Sequence, residues 1–469
     1  MLRVLFGGDR VKYDVAIVGA GPAGIFAAYE LTKEAPQLRV LIVESGRDIY
    51  HRVCPIAAGR TPTCIGCKPC SIMRGFGGAG AFSDGKYNFT TAFGGWLNEY
   101  LPDEKVMELI DYVDAINCEH GAPSKVFSTE HSAIAREALK HDLHLLAARV
   151  RHLGTENNLR MLEAMYEHLK EKVAFRFLSP VRHIERADRS LELESGERIE
   201  AEYLIVAPGR AGAEWFSDEC DRLGIVRENN RVDVGVRVEV PDAIWDAVTR
   251  EVYEAKLVYR THRYGDLVRT FCMNPHGHVV MENTDGIVTV NGHSYSDPKL
   301  QSHNTNFALL VSNHFTEPFK SPHQYGKRIA SFSNMLGGGI IVQRYGDLVR
   351  GRRTDAHRLA KSFTRPTLAA TPGDLSLVLP KRHLDNIIEM IGALDAVAPG
   401  MKNEDTLLYG VEVKFYSSRP QLTKELETTL PNVFAAGDGA GVTRGLSQAG
   451  ASGVYAARTI LSRLSKKQR

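Results

Sequence analysis

Ten residues constrain this chain more than any others: Val15 to Gly24, which read V-A-I-V-G-A-G-P-A-G. The apolar run Val15-Ala16-Ile17-Val18 stops at three glycines, Gly19, Gly21 and Gly24, spaced i, i+2 and i+5. A helical pattern runs on from Pro22 and Ala23 to Leu31, and a second apolar run, Val40 to Val43, ends in Glu44, twenty residues past the last glycine. Strand, glycine turn, helix, strand and acid form a dinucleotide-binding βαβ unit. Gly19 permits the tight turn, Gly21 lets a pyrophosphate approach the backbone, and Gly24 lets helix and strand pack closely. The helix N-terminus offers N–H groups to the phosphates, and Glu44, followed by Ser45, is placed to accept from a ribose hydroxyl. The unit alone does not separate FAD from NAD.

The rest of the chain must accommodate that unit. Its 469 residues imply two or three domains, and 43% hydrophobic with 24% charged residues is an ordinary globular balance. The net charge of +2 gives no reason to expect a nucleic-acid partner. No run of 18 apolar residues occurs, and the start lacks a signal-peptide core, so no membrane span and a cytoplasmic location are expected.

Cys54 to Lys86 is the most unusual segment. It carries Cys54, then Cys64, Cys67 and Cys70 in a C-x2-C-x2-C run, then Gly75 to Lys86 with four glycines before Gly85. Four thiols at this spacing are candidate ligands for a [4Fe–4S] cluster, with a structural zinc site, a redox dithiol or inert buried thiols as alternatives. The glycine loop, with Gly78, Ala79, Gly80, Ser83 and Asp84, reads as backbone brought close to a flat or anionic ligand. Helical periodicity predicts helices over Asp103 to Ile116, Ala133 to Leu153 and Asn158 to Val173. The period then changes to two, with a strand at Val181 and an apolar run into Ala207-Pro208-Gly209 that resembles a further strand of the parallel sheet. Val232 to Val240 opens a β-rich region, continued near 268–273, 278–282 and 287–291. Helical and loop material is expected from about 303 to 400. A last apolar run enters Gly437-Asp438, and a closing helix is expected over Gly450 to Leu464.

A nucleotide unit at the start with a sheet strand near 433 implies a discontinuous domain. The predicted fold is α/β: a discontinuous FAD-binding Rossmann-type domain (11–97, 160–225 and 405–469), a helical insertion (98–159) and an inserted β-rich α+β substrate or cap domain (226–404). Arg444, Gly445, Gln448 and Ala449 follow Asp438, where a helix start would aim N–H groups at the flavin N1–C2=O region.

Gly19 to Gly24 with Glu44, Ala207-Pro208-Gly209 and Ala436-Gly437-Asp438 resemble the glutathione-reductase-like FAD-binding superfamily. Gly77 to Lys86, Val234 to Arg237, Thr270 to Met273, Val290 to Gly292, Asn306 to Ala308 and Thr443 to Ala449 are similar to a poorly characterised bacterial and archaeal family of FAD-dependent dehydrogenases. That resemblance implies FAD as cofactor, with Asp438 at its ribityl–pyrophosphate region. The expected activity is transfer of a hydride or two electrons between FAD and a small organic substrate. The rival readings are an electron relay through a cysteine-held cluster and a non-redox FAD-binding protein. No second GxGxxG follows a strand, which argues against a dedicated NAD(P)H domain but not against transient NAD(P)H binding; the electron partner is left open between NAD(P)H and a protein. His293, Tyr295, Asn306, His383 and Tyr416 are the candidate substrate-handling residues.

Overall fold

The computed structural model describes residues 12–467, apart from 62–64, 131, 229–231, 253, 285, 296, 314, 316–321 and 416–418. Strand Lys12–Val18 is central to the first sheet. It pairs in parallel with Val40–Val43 on one side and Arg198–Val206 on the other, placing Val15 between Val40 and Tyr203. Ala174–Arg176 extends the sheet beyond Val40–Val43, and Val433–Ala435 pairs in parallel with Leu204 to Val206. Val15, Ala16, Ile17, Leu41, Ile42, Leu204 and Ile205 are wholly buried, because helices cover both faces; such strands read as continuous apolar runs rather than alternation. The first half of Arg198–Val206 instead carries an antiparallel hairpin, Val181–Ile184 with Leu191–Leu193.

Helix Pro22–Glu34 starts with proline in its first turn, where a missing N–H costs nothing. The closing helix, Leu446–Lys467, packs against it so closely that a Cβ on Gly453 would lie 2.0 Å from the Ala23 carbonyl oxygen. This contact binds the last segment of the chain to the first.

The second sheet has eight strands, in the order Thr371–Pro372, Ile341–Arg344, Leu407–Phe415, Val232–Pro241, Asn304–Asn313, Leu267–Asn274, Leu257–Arg260 and Leu143–Leu145. All its pairings are antiparallel except the first. Val232, Val234, Val236, Val238 and Val240 enter its hydrophobic core with Trp245, Phe307 and helix Lys381–Val397.

Three expectations are corrected here. The helix expected over Ala133 to Leu153 ends at Leu139; the chain turns at Asp142 (φ +58°) and forms strands Leu143–Leu145 and Arg149–His152, since pairing with Leu257–Tyr259 outweighs a helical period. Within the stretch expected to be helix and loop from 303, Asn304–Asn313 is a ten-residue strand paired on both sides. The 404/405 boundary would sever Leu407–Phe415 from the two strands it joins, and the 159/160 boundary cuts helix Thr155–Leu169. The C-terminal return to the parallel sheet therefore follows strand Leu407–Phe415.

Candidate cofactor and substrate site

Four glycine-bearing loops meet at the C-terminal edge of the parallel sheet. Gly19, at φ +103°, donates its N–H to the Val43 carbonyl at 2.8 Å, and a Cβ there would lie 2.1 Å from the Ala207 oxygen. A Cβ on Gly24 would lie 2.0 Å from the Gly19 oxygen, so this position fixes how closely the helix sits on the strand. Gly21 differs: a Cβ there would meet only the Gly78 Cα, at 3.9 Å. Its open side faces the glycine loop. Gly80 in turn abuts Leu446 at the start of the closing helix, Gly437 approaches Ala23, and Gly439 packs onto Gly209.

Glu44 is buried and holds these loops together. Its Oε2 accepts from the Ala20 N–H at 2.8 Å, while Oε1 accepts from Gly46 N–H at 2.7 Å, Gly75 N–H at 3.0 Å and the Ser45 hydroxyl at 3.2 Å. The acid expected to face a ribose is thus also the tie between the dinucleotide turn and the loop beginning at Gly75. Val181 lies beside this end of the site, two residues after Ser179, whose N–H donates to the Glu44 carbonyl.

The glycine loop is set by two buried side chains. Arg52 donates to the carbonyls of Ser71, Ile72 and Phe76 and stacks over Phe82, and Asn158 donates to the Gly80 and Ala81 carbonyls at 2.9 and 3.1 Å. Gly77 and Gly78 take positive φ, and the Gly77 N–H reaches the Ala20 carbonyl. Gly78–Gly80, with Ala79 between them, form one short 3-10 turn, which the Ser83 hydroxyl closes onto the Gly80 carbonyl at 2.7 Å. Asp84 and Lys86 form a buried ion pair at 3.1 Å rather than a surface pair. Burial alone would raise the Asp84 carboxyl, but Lys86 and His152 (3.5 Å) hold it well below the usual carboxylate range. Lys86 also donates to the Met273 carbonyl at 2.8 Å and Asn274 Oδ1 at 3.1 Å, joining the loop to the antiparallel sheet.

At the end of Val433–Ala435, Gly437 takes φ +79° and Asp438 is half-buried. Asp438 accepts from the Thr443 hydroxyl at 2.8 Å and the Gly445 N–H at 3.0 Å; burial pushes its carboxyl up against the opposing pull of those two donors. Gln448 Nε2 donates to the Thr90 and Gly94 carbonyls, and Ala449 donates its N–H to the Gly445 carbonyl in the first helical turn. Gln448 Oε1 and Asn88 Oδ1 are buried without a partner among the described residues, and both residues line a cavity of about 10 Å³ with Phe93 and Arg444. That is about one water's worth of space. Pro208 and Gly209, at φ +63°, complete the edge.

The candidate substrate residues do not all gather. His293 stands near Asp84 and Lys86, its imidazole pushed down by burial, and contacts Tyr295 edge-on at 4.7 Å between ring centroids. Asn306 serves the sheet: its Oδ1 accepts from Arg237 Nε and Nη2 at 2.9 and 2.7 Å. His383 belongs to the core helix Lys381–Val397 near Tyr325, with burial holding its imidazole down to about 4. Tyr416 lies outside the described residues, as does Cys64. Cys54, Cys67 and Cys70 are partly exposed free thiols, and among the described residues no three His, Cys, Asp or Glu side chains gather as a metal ion requires.

Sequence reasoning missed Lys256, Arg269 and Lys414, which the antiparallel sheet brings around Phe271 together with Arg444. A lysine in Glu254-Ala255-Lys256 ahead of an apolar strand looks the same in sequence whether it faces solvent or a site.

Three families match parts of the chain: "FAD-dependent protein, C-terminal domain-like" over residues 231–415, the Thi4 family over 8–48, and "Glucose inhibited division protein A" over 366–468, the first and last overlapping at 366–415. A protein of Clostridium beijerinckii, described only as uncharacterized, is 25% identical over 485 residues, covering 97% of this chain and 82% of its own. Among solved structures, glycine oxidase from Geobacillus kaustophilus overlaps 97% of this chain and 95% of its own, with 12% identity and a TM-score of 0.39. The E. coli quinol fumarate reductase FrdA overlaps 98% and 72%, with 13% identity and a TM-score of 0.42. Overlap at that level carries no argument about chemistry. The family matches, with the βαβ turn they include, place the chain in the FAD-binding oxidoreductase superfamily. It is an FAD-dependent oxidoreductase.

The residues fit that cofactor. Gly21 has an open side where any larger residue would intrude on a pyrophosphate, and the helix behind it begins with N–H groups directed at the same place.

Proposed function

We propose that this chain exchanges a hydride, or two electrons, between FAD and a small organic substrate held beneath the antiparallel sheet, as a member of the FAD-dependent dehydrogenase family suggested by its motifs. The observation that carries this reading is the convergence of Gly21, Gly78–Gly80, Gly437–Asp438 and the start of the closing helix on one sheet edge, with Lys86 bridging from there to the antiparallel sheet. FAD, when bound, supplies the two-electron chemistry. The chain's own residues do the rest. The Gly19–Gly24 turn and the helix after it would hold the pyrophosphate, and Glu44 keeps the turn and the Gly75 loop in register. Asp438 keeps Gly445 and Thr443 in place, so that the N-terminus of the closing helix and Arg444 would present positive charge to the bound flavin. Asp84, Lys86 and His152 form one ion-pair cluster where the glycine loop meets the antiparallel sheet. The second half-reaction, with NAD(P)H or an electron-carrying protein as partner, belongs to the same proposal.

The test is anaerobic mixing of the flavin-loaded protein with a panel of small organic donors, followed by small acceptors. Bleaching and recovery of the flavin bands with at least one pair is the expected result. A bound flavin that exchanges electrons only with another protein would contradict the small-molecule reading.

A further inference from the structure

The two faces of the antiparallel sheet differ in kind. One is the valine-rich core; the other carries Asp233, Arg237, Arg269, Phe271, Glu412 and Lys414, nearly all buried. Charged side chains are rarely enclosed in such numbers without a ligand or a tight internal pairing to compensate them. Some are paired: Arg269 with Asp233 at 2.6 Å, Lys414 with Glu412 at 2.8 Å, and Arg237 with Glu412 at 3.4 Å.

Around Phe271 the arrangement favours an added anion. Lys256 Nζ lies 4.8 Å from its ring centroid, Arg269 Cζ 4.9 Å, Arg444 Cζ 5.1 Å and Lys414 Nζ 5.8 Å. Lys256 also stands 3.5 Å from the Phe93 ring. Its ammonium makes no hydrogen bond among the described residues, and its nearest carboxylate oxygen, on Glu254, is 3.6 Å away. A lysine that is 4% exposed and flanked by two rings has exchanged most of its water for π-faces and one ion pair with Glu254, although an ammonium can donate three hydrogen bonds. Cations from three strand regions and from the start of the closing helix thus converge on one aromatic ring, beside the edge where the flavin would lie.

We propose that the substrate carries a carboxylate, which Lys256, Arg269 and Arg444 bind beside Phe271. The assignment rests on the flavin reading of the adjacent edge. Guanidinium groups match the planar two-oxygen geometry of a carboxylate, and Lys256 supplies a point charge to the same group. The anchor fixes one end of the substrate, leaving the carbon that exchanges hydride to be aligned over the flavin. Lys256 is a positioning and specificity residue in this scheme and takes no part in hydride transfer.

The test is titration of the flavin-loaded protein with benzoate and succinate against benzamide and succinamide. Binding is followed by perturbation of the flavin bands and, independently, by calorimetry. The acids are expected to bind and the amides to fail, and Lys256→Met is expected to weaken the acids by about tenfold or more while flavin content is unchanged. The proposal is overturned if amides bind as well as acids, if inorganic sulfate displaces the acids at equal concentration, or if Lys256→Met shifts the flavin potential and leaves acid affinity unaltered. Folded protein that retains no flavin after FAD is added contradicts the flavin reading; flavin-loaded protein indifferent to carboxylates contradicts this inference alone.

Discussion

Gly21 and Gly24 are three residues apart and perform different tasks, which a methyl group separates. At Gly24 the added Cβ would collide with the Gly19 carbonyl, so Gly24→Ala is expected to destabilise the folded protein by about 1–3 kcal/mol, read as a lower urea midpoint. At Gly21 the protein leaves room for it, so Gly21→Ala should keep the wild-type midpoint while its FAD dissociation constant rises by about tenfold or more. Equal losses of stability in the two variants would show that Gly21 is a packing glycine instead. Lys256 gives a second prediction at this scale. Burial is the largest influence on its ammonium; with Glu254 and Cys272 opposing it and Arg269 and Arg444 adding to it, the net result is a lowering to about 8. The folded chain therefore releases this proton near pH 8, whereas the unfolded chain keeps it until about 10.5, the ordinary value. Between those limits the unfolded state binds more protons, so this residue's contribution makes stability rise with pH. Comparing denaturation curves of wild type and Lys256→Met from pH 8 to 10 checks it: the wild type gains relative to the variant, and parallel profiles would contradict the burial argument.

Among the elements, the first and closing helices make the contact on which the discontinuous layout depends. Gly453→Val would force a side chain into the Ala23 backbone, and loss of about 1–3 kcal/mol with partial loss of flavin is expected in denaturation and absorbance measurements. In the other sheet, Arg237 is wholly buried and bonds Asn306, the Cys272 carbonyl and Glu412, across three neighbouring strands. Arg237→Met removes one partner of a buried pair and should cost about 3 kcal/mol, read by the same curves. The parallel strands were legible because each is a short apolar run stopped by glycine or acid, a pattern with few other uses. Asn304–Asn313 was not, since a strand paired on both sides and buried along Asn304 to Leu310 shows no alternation by which to recognise it. The Ala133 to Leu153 misreading has the complementary cause: a helical period was present, but the partner strand at Leu257–Tyr259 lies more than a hundred residues away and is invisible to any local window.

For the whole molecule, one edge of the parallel sheet holds the loops for the cofactor, and the polar face of the antiparallel sheet lies against it through Lys86, Phe93, Arg444 and Phe271. The placement of Gly19 to Gly24, Gly209 and Gly437-Asp438 at that edge could be read from the sequence because each group directly follows an apolar strand. The cation cluster could not, because it draws single residues from positions 256, 269, 414 and 444 that only the folded sheets bring together. Among the described residues no helix is long and apolar enough to cross a membrane. The central claim is that this edge binds FAD. Its most direct test is to purify the folded protein, add excess FAD, remove unbound ligand by gel filtration, release what remains by acid, and quantify it against protein. The account predicts about one FAD per chain, falling sharply in Gly21→Ala; a folded wild-type protein that retains no flavin would contradict it.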